Sequence, residues 1–156
     1  MANRQRQYFK YNSETFLSNW IYQGKEIIDE SDVPEGMVGF VYLITNNVTG
    51  RKYIGRKILT STTRKPAKKG ETRRKKVVKS SNWQNYFGSS EEMIQSVLTY
   101  GKESFTREIV RFCKSKTEMA YYECKEIFAS DALIKEEFIN KWITAQINGK
   151  NLHYLK

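Results

Sequence analysis

Histidine is almost absent from this sequence: of 156 residues only His153 carries an imidazole. That excludes any mechanism needing two histidines, and with it a histidine-metal nuclease motif. Cysteine is nearly as scarce. Cys113 and Cys124 stand apart, in no Cys-x-x-Cys pair with histidines to complete a zinc site, so both read as reduced, half-buried thiols. No apolar run approaches the length of a membrane span, and the basic residues of the first seven positions have no apolar stretch behind them. Neither a span nor a secretory leader is expected, and the chain reads as a soluble protein of the cytoplasm, working where it is made.

Acidic residues are missing where basic ones crowd. Between Arg51 and Lys79 there are thirteen lysines and arginines against one acid, Glu71, whereas the whole chain carries only +10. The remainder is therefore close to neutral. Such concentration is the footprint of a phosphate-backbone binder, which gains affinity by releasing condensed counterions. A solvated loop without a partner is the plainer reading, and Arg73-Arg74-Lys75-Lys76 would also pass as a nuclear-localisation pattern.

At this length one hydrophobic core is expected, in a single compact domain with arms. Its centre is the stretch 39 to 57. Two runs rich in β-branched and aromatic residues, Phe40 to Thr45 and Lys52 to Ile54, flank the turn cluster Asn46-Asn47-Val48-Thr49-Gly50, which spells a β-hairpin. Strand alternation puts Tyr42 on a face with Phe40 and Ile44, and Tyr53 on a face with Gly55 and Lys57. Two tyrosines then stand close together, beside a glycine that lets something approach the backbone. Read from the hairpin alone, they are ordinary strand aromatics.

Before the hairpin, residues 1 to 11 read as a basic arm. Asn12-Ser13 caps a short helix bearing Phe16, Leu17, Trp20 and Ile21 and ending at Gly24, and an acidic linker runs to Gly36. After it comes a basic loop, 58 to 80, with Pro66 and Gly70 inside it; a loop of this length and charge suits a polyanion on which it becomes ordered. Lys65, Lys68, Lys69, Arg73, Arg74, Lys75, Lys76 and Lys79 are its candidate nucleic-acid contacts. Trp83 and Tyr86 in the segment 82 to 90 are candidates as well, Tyr86 to reach phosphate or stack on a base; Trp83, like Phe87, has a core alternative.

Ser89 and Glu92 form a capping box for a helix carrying Met93, Ile94, Val97 and Leu98 and closed by Gly101. Ser104 to Phe112 reads as a third strand. Ser115 and Glu118 make a second capping box, for a helix to Phe128 with Ala120, Cys124, Ile127 and Phe128 as its apolar stripe. Glu123 lies at the edge of that stripe. A carboxylate there needs a partner, either a lysine or arginine of the basic loop or a divalent cation, since one carboxylate with waters and phosphate oxygens is a common way to hold Mg²⁺. Leu133 to Ile147 reads as a further packed helical segment. The fold class is thus α+β, a small three-stranded, mostly antiparallel sheet flanked by helices.

Phe40-Val41-Tyr42 and Tyr53-Ile54-Gly55, about ten residues apart, resemble the paired signature of the GIY-YIG nuclease family, with Phe-Val where Gly-Ile is usual. Tyr121-Tyr122-Glu123-Cys124-Lys125-Glu126-Ile127 resembles the family's glutamate-bearing helix. The likeness covers roughly residues 38 to 142 and is to small stand-alone phage or mobile-element enzymes, which makes a homing or restriction-like nuclease the expectation. It implies a DNA endonuclease using Mg²⁺ (or Mn²⁺), with Glu123 as metal ligand and Glu126 as its fallback. It implies roles for Tyr42 and Tyr53 at the attacking water, for a transition-state arginine, and for a supporting asparagine. Arg64 is nearest the family spacing, with Arg56, Arg73 and Arg74 as rivals, and Lys57 contacts the same phosphate. Asn140 is the first choice of asparagine, with Asn148 and Asn151 competing.

The expected organisation is an arm and linker over 1 to 36, a nuclease domain over 37 to 147 and a tail over 148 to 156. Double-stranded DNA is the expected partner, cut by a homodimer or by successive nicks, in a host cytoplasm if the gene is a phage's. Two other classes stay open: a nucleic-acid-binding protein without catalysis, and a protein that engages an acidic partner through the loop.

Overall fold

The computed structural model describes residues 18–70 and 72–156. The capped start of the first expected helix and the basic arm lie outside the described residues, as does Glu71. The second half of that expected helix is a β-hairpin. Trp20–Tyr22 (β1) turns through Gln23 and Gly24, at φ 49° and 78°, into Lys25–Ile27 (β2), with Tyr22 facing Lys25. Two consecutive positive φ values are what a two-residue hairpin demands. Gly24, read as a helix stop, is a hairpin turn; four apolar positions in so short a window do not separate the two periods.

Gly39–Asn46 (β3) and Lys52–Ile58 (β4) form the expected hairpin, Tyr42 opposite Gly55 and Ile44 opposite Tyr53. Its turn is held by Asn46, whose Oδ1 accepts from Val48 N (2.9 Å). Thr60–Arg64 (β5) and Lys76–Ser80 (β6) pair with each other. Phe105–Cys113 (β7), displaced by one residue from the strand expected at Ser104 to Phe112, pairs antiparallel with β3 and parallel with β1. The sheet therefore has five strands, in the order β2-β1-β7-β3-β4, rather than three, because the N-terminal segment adds two. Beside Tyr42 the β3/β7 register slips, Val41 facing Arg111 and Tyr42 facing Ile109, so Val110 has no opposite number. Such a bulge re-aims side chains locally.

Both faces of the sheet are covered. One face packs Phe40, Tyr42, Ile44 and Ile109 against Trp83 and Met93, the latter from helix α1, Glu91–Tyr100. The other packs Val41, Ile54 and Cys113 against Met119 and Ile127 of helix α2, Lys116–Ala129. Helix α1 is capped by Ser90, whose Oγ accepts from Met93 N, so the cap lies one residue beyond the expected Ser89. Ser115 caps α2 as expected, accepting from Glu118 N at 3.1 Å, while Glu118 reaches back to Lys114 N at 2.7 Å. Of the stripe expected on α2, Ala120, Cys124 and Ile127 are buried and Phe128 is exposed. Both cysteines are free and buried, and burial pushes the Cys113 thiol up to about 12.

The helix expected over 133 to 147 does not form. Asp131, at φ 52°, turns the chain after α2, and residues 137 to 140 run alongside β4 instead. Glu137 O accepts from Lys52 N (2.7 Å) and Ile139 N donates to Lys52 O (2.8 Å). An edge strand's unpaired backbone is a stronger demand than the weak helical periodicity of this stretch. At the C-terminal end, Tyr154 donates to Glu118 Oε2 at 2.9 Å, docking the Gly149–Leu155 turn on the start of α2. No helix among the described residues is long and apolar enough to cross a membrane.

Candidate active site

The outer edge of β4 is where the two sides of the sheet meet. Strand alternation sends Tyr53, Gly55 and Lys57 to the α1 side and Ile54 and Arg56 to the α2 side, and at this edge Tyr53 from the first set and Ile54 and Arg56 from the second border one open cleft of about 450 Å³. Tyr53, Arg56, Ser89, Glu92, Glu123 and Asn140 line it, together with Lys141, Trp142 and Thr144.

Glu123 projects from the middle of α2 and is half-buried. Arg56 Nη1 lies 2.8 Å from its Oε2, though not along a hydrogen-bond direction, and Nη2 reaches only a long bond to Thr144 O at 3.4 Å. The partner foreseen for Glu123 as one alternative, a basic residue, is therefore present, but it comes from β4 and not from the loop. Burial raises the carboxyl above its ordinary 4.5, and the Arg56 charge offsets part of that rise.

The tyrosines form a cluster rather than a pair. Tyr42 is 1% exposed, its hydroxyl over Gly55, where an added Cβ would stand 2.6 Å from Tyr42 Cζ. Its ring lies 6.2 Å from Tyr53 and 5.9 Å from Tyr86. Only Tyr53 of these three lines the cleft, and Tyr42 meets it through its neighbours. Burial pushes the Tyr42 hydroxyl well up, with Tyr86 and Tyr53 adding to the rise; burial also raises Tyr53, against a counteracting Ser89 hydroxyl. Lys57 faces the same way as Tyr53, as alternation requires, with Nζ 4.1 Å from the Tyr86 ring centroid, and burial lowers its pKa.

Asn140 is buried with both amide atoms spoken for: Oδ1 accepts from Ile54 N at 3.0 Å and Nδ2 donates to Ile54 O at 2.8 Å. The side chain acts as one residue of a neighbouring strand, fixing the backbone between Tyr53 and Gly55. Asn148 and Asn151 are not among the residues lining the cleft. Asn140→Asp is expected to lose about 1–3 kcal/mol of stability, because the Nδ2 donor becomes an oxygen facing the Ile54 carbonyl. Thermal unfolding checks it, with Asn140→Ala as the milder comparison.

The basic residues of the expected loop are not in the cleft. Arg64 ends β5 opposite Lys76, Lys65 N donates to Lys75 O at 3.0 Å, and Lys79 faces Ser61. Thr60 to Thr63 and Val77-Val78 make two β-branched strands, so the expected loop is a two-stranded ribbon with a tip carrying Lys68, Lys69, Arg73 and Arg74. This inserted ribbon makes the spacing from Tyr53 a poor guide to an arginine: Arg56 stands at Glu123, while Arg64, Arg73 and Arg74 stand on the exposed ribbon. Trp83, expected among the nucleic-acid contacts, is 0% exposed and packs edge-on against Phe40 at 6.1 Å. It is core, and no base can reach it. Glu126 lies away from this cleft, among the residues lining a smaller cavity on the α2 side.

Of the wall residues named above, sequence reasoning missed five. Ser89 and Glu92 were read only as a capping box, and Lys141, Trp142 and Thr144 fell within the helix that does not form. Nothing local marks the last three, since they reach the cleft only because 137 to 140 pair with β4.

Among the described residues no group of three or more histidine, cysteine or acidic side chains could hold a metal ion by itself. The donor set still fits a hard cation, because Glu123 supplies one carboxylate in an open cleft, and Mg²⁺ commonly takes its remaining ligands from water and substrate phosphate.

Two tyrosine-bearing strands, a helix presenting one glutamate, and a cleft at the strand edge between them define a GIY-YIG nuclease domain. A family model described as "Putative endonuclease segE, GIY-YIG domain" matches residues 20–145, and the chain belongs to this family, whose activity is endonucleolytic. No curated protein and no solved structure matches the chain.

Proposed function

We propose that the chain is a divalent-metal-dependent DNA endonuclease whose active centre is the cleft at the outer edge of β4, and whose β5–β6 ribbon grips duplex DNA. The observation that carries this reading is the convergence of Tyr53, Arg56 and Glu123 on one open cleft.

A bound Mg²⁺ or Mn²⁺ supplies charge neutralisation at the scissile phosphate and help for the leaving oxygen. Glu123 would hold it. A cation on Glu123 would weaken the Arg56 pairing, and the poorly aligned Nη1 could then turn to a phosphoryl oxygen, where it would stabilise developing charge. Tyr53, with a raised pKa, keeps its proton at neutral pH. It therefore acts by donating a hydrogen bond that orients the phosphate or the attacking water, and would serve as a base only where a nearby cation stabilises its phenolate, which then accepts the water's proton. Lys57, held over Tyr86, is the cation that the β4 strand itself brings to the tyrosine cluster. Tyr42, over Gly55, and Asn140, on Ile54, are positioning residues that fix Tyr53.

The ribbon fits a duplex. Its five paired residues per strand extend about 17 Å, a two-stranded ribbon enters the major groove of B-DNA, and between 60 and 80 it carries nine lysines and arginines against one acid. The test is cleavage of supercoiled and linear duplex DNA with and without Mg²⁺, followed on gels, with binding measured across salt. One cleft cuts one strand, so a nicked circle is the expected first product. The combined change Lys75→Ala, Lys76→Ala and Lys79→Ala is expected to flatten the slope of log affinity against log salt by about two to three, at about 0.9 for each phosphate no longer neutralised. Binding without cleavage under all metals would overturn the catalytic half of the reading; an unchanged slope would remove the ribbon from it.

A further inference from the structure

The sequence has three tryptophans, and two of them, Trp20 and Trp83, are 0% exposed. Trp142 is 75% exposed, and it lines the same cleft as Tyr53, Arg56 and Glu123. Its backbone is not loose. On one side Ile139 is buried and Asn140 is bonded to Ile54; on the other Ile143 packs into the cluster beneath α2. Lys141 is also anchored, with Nζ 3.1 Å from Glu92. The chain is therefore fixed on both sides of a large apolar ring that is left in water at the mouth of the cleft.

We propose that Trp142 is a stacking platform for a nucleobase next to the scissile phosphate, so that the enzyme holds its substrate with one base drawn out of the duplex stack. The inference rests on the endonuclease reading above and adds to it how the substrate lies. A phosphate placed between Arg56 and Glu123 carries a sugar and base on either side, and these must follow the cleft wall. The indole offers no charge to a phosphate, but its face suits any base, because stacking tolerates all four. A paired base is not free to stack on a protein ring. It must leave its partner, which is easiest at a mismatch or a damaged site.

The distribution of tryptophans makes the test direct, since Trp142 provides the solvent-accessible emission. Glu123→Gln protein is mixed with a duplex whose cut position has been mapped with wild type, and acrylamide quenching of fluorescence is followed while anisotropy of labelled DNA reports binding. Bound DNA is expected to bring quenching down to the level of the Glu123→Gln, Trp142→Phe protein. Replacing one nucleotide beside the cut by an abasic one is expected to restore accessibility. Trp142→Ala should weaken binding to the intact duplex about tenfold, and should weaken binding to the abasic duplex no further. Trp142 is exposed, so an unchanged melting temperature will show that the variants are folded.

DNA that binds while the indole stays accessible, or a loss that is the same on intact and abasic duplexes, overturns the inference and leaves the endonuclease reading standing. Protection that rises with protein concentration in the absence of DNA assigns the ring to a second copy of the chain, and also overturns it. If wild type neither binds nor cuts DNA, it is the endonuclease reading that fails, and this inference fails with it.

Discussion

Glu123→Gln is expected to bind duplex DNA at least as tightly as wild type and to cut it about 10²–10³-fold more slowly, the loss typical when one preorganised electrostatic partner of a transition state is removed. Glutamine keeps the shape of the side chain but removes the negative charge that a cation needs. It also frees Arg56, now 2.8 Å from the carboxylate, so the cleft becomes more positive and its hold on a phosphate does not weaken. Rate and affinity then move apart, which a merely destabilised protein cannot imitate. The pH dependence comes from the same pair. Burial raises the Glu123 pKa above 4.5, so its proton persists to higher pH than on a free glutamate, and at limiting metal, where proton and cation compete for the carboxylate, cleavage is lost as pH falls through that raised value. Arg56 works against the rise, so Arg56→Met should push the carboxyl further up, read by ¹³C NMR of the Glu123 side chain. In Glu123→Gln that acid limb disappears. If instead the variant cuts at the wild-type rate, Glu123 has no part in the chemistry.

The sequence made local features legible. The 39 to 57 hairpin, its tyrosine register and the Ser115 cap depend on neighbours within a few positions, and each appears where alternation or capping puts it. Glu123 stood out because a carboxylate at the edge of an apolar stripe must have a partner, but the spacing left that partner open between a basic residue and a cation, and only the family resemblance of residues 121 to 127 favoured the cation. The failures share a cause as well. Trp20 to Ile27 and 137 to 140 are shaped by strands far away in the chain: β1 lies against β7, and Phe138 bridges to Lys52. Their side-chain spacing imitates a helix because a few apolar residues fit either period, and pairing with a distant edge decides between them. Trp83 stood between a nucleic-acid contact and a core residue in the sequence, and the sheet that covers it decides for the core. The wall residues around Trp142 were beyond reach for the same reason.

Arg107 joins the fold to the site in a way no motif announces, and its replacement is the second large effect expected. It is 2% exposed, and its guanidinium donates to three backbone carbonyls: Nε to Ser18 O at 2.7 Å, and Nη1 to Gln84 O at 2.9 Å and Tyr86 O at 2.8 Å. Its carbon Cζ lies 4.7 Å from the Trp20 ring centroid and 4.2 Å from that of Phe87. Burial lowers its pKa to about 10, which still leaves it charged at neutral pH. One side chain thus ties β7 to the start of β1 and to the turn that delivers Tyr86. Arg107→Leu strands three carbonyls in the interior, at an expected loss of about 3–5 kcal/mol, or roughly 10 °C in melting temperature for a chain of this size. Arg107→Lys should recover little, because an ammonium cannot span three acceptors in a planar fork while lying flat between two rings. The effect should also pass to the cleft. With Gln84 and Tyr86 released, the Tyr86 ring no longer braces Tyr42 and Lys57, so cleavage measured well below the melting temperature should fall while Glu123 and Arg56 stay in place. A variant that melts early but cuts at full rate in the cold would mean that Tyr86 has no part in holding Tyr42 and Tyr53 in their working positions.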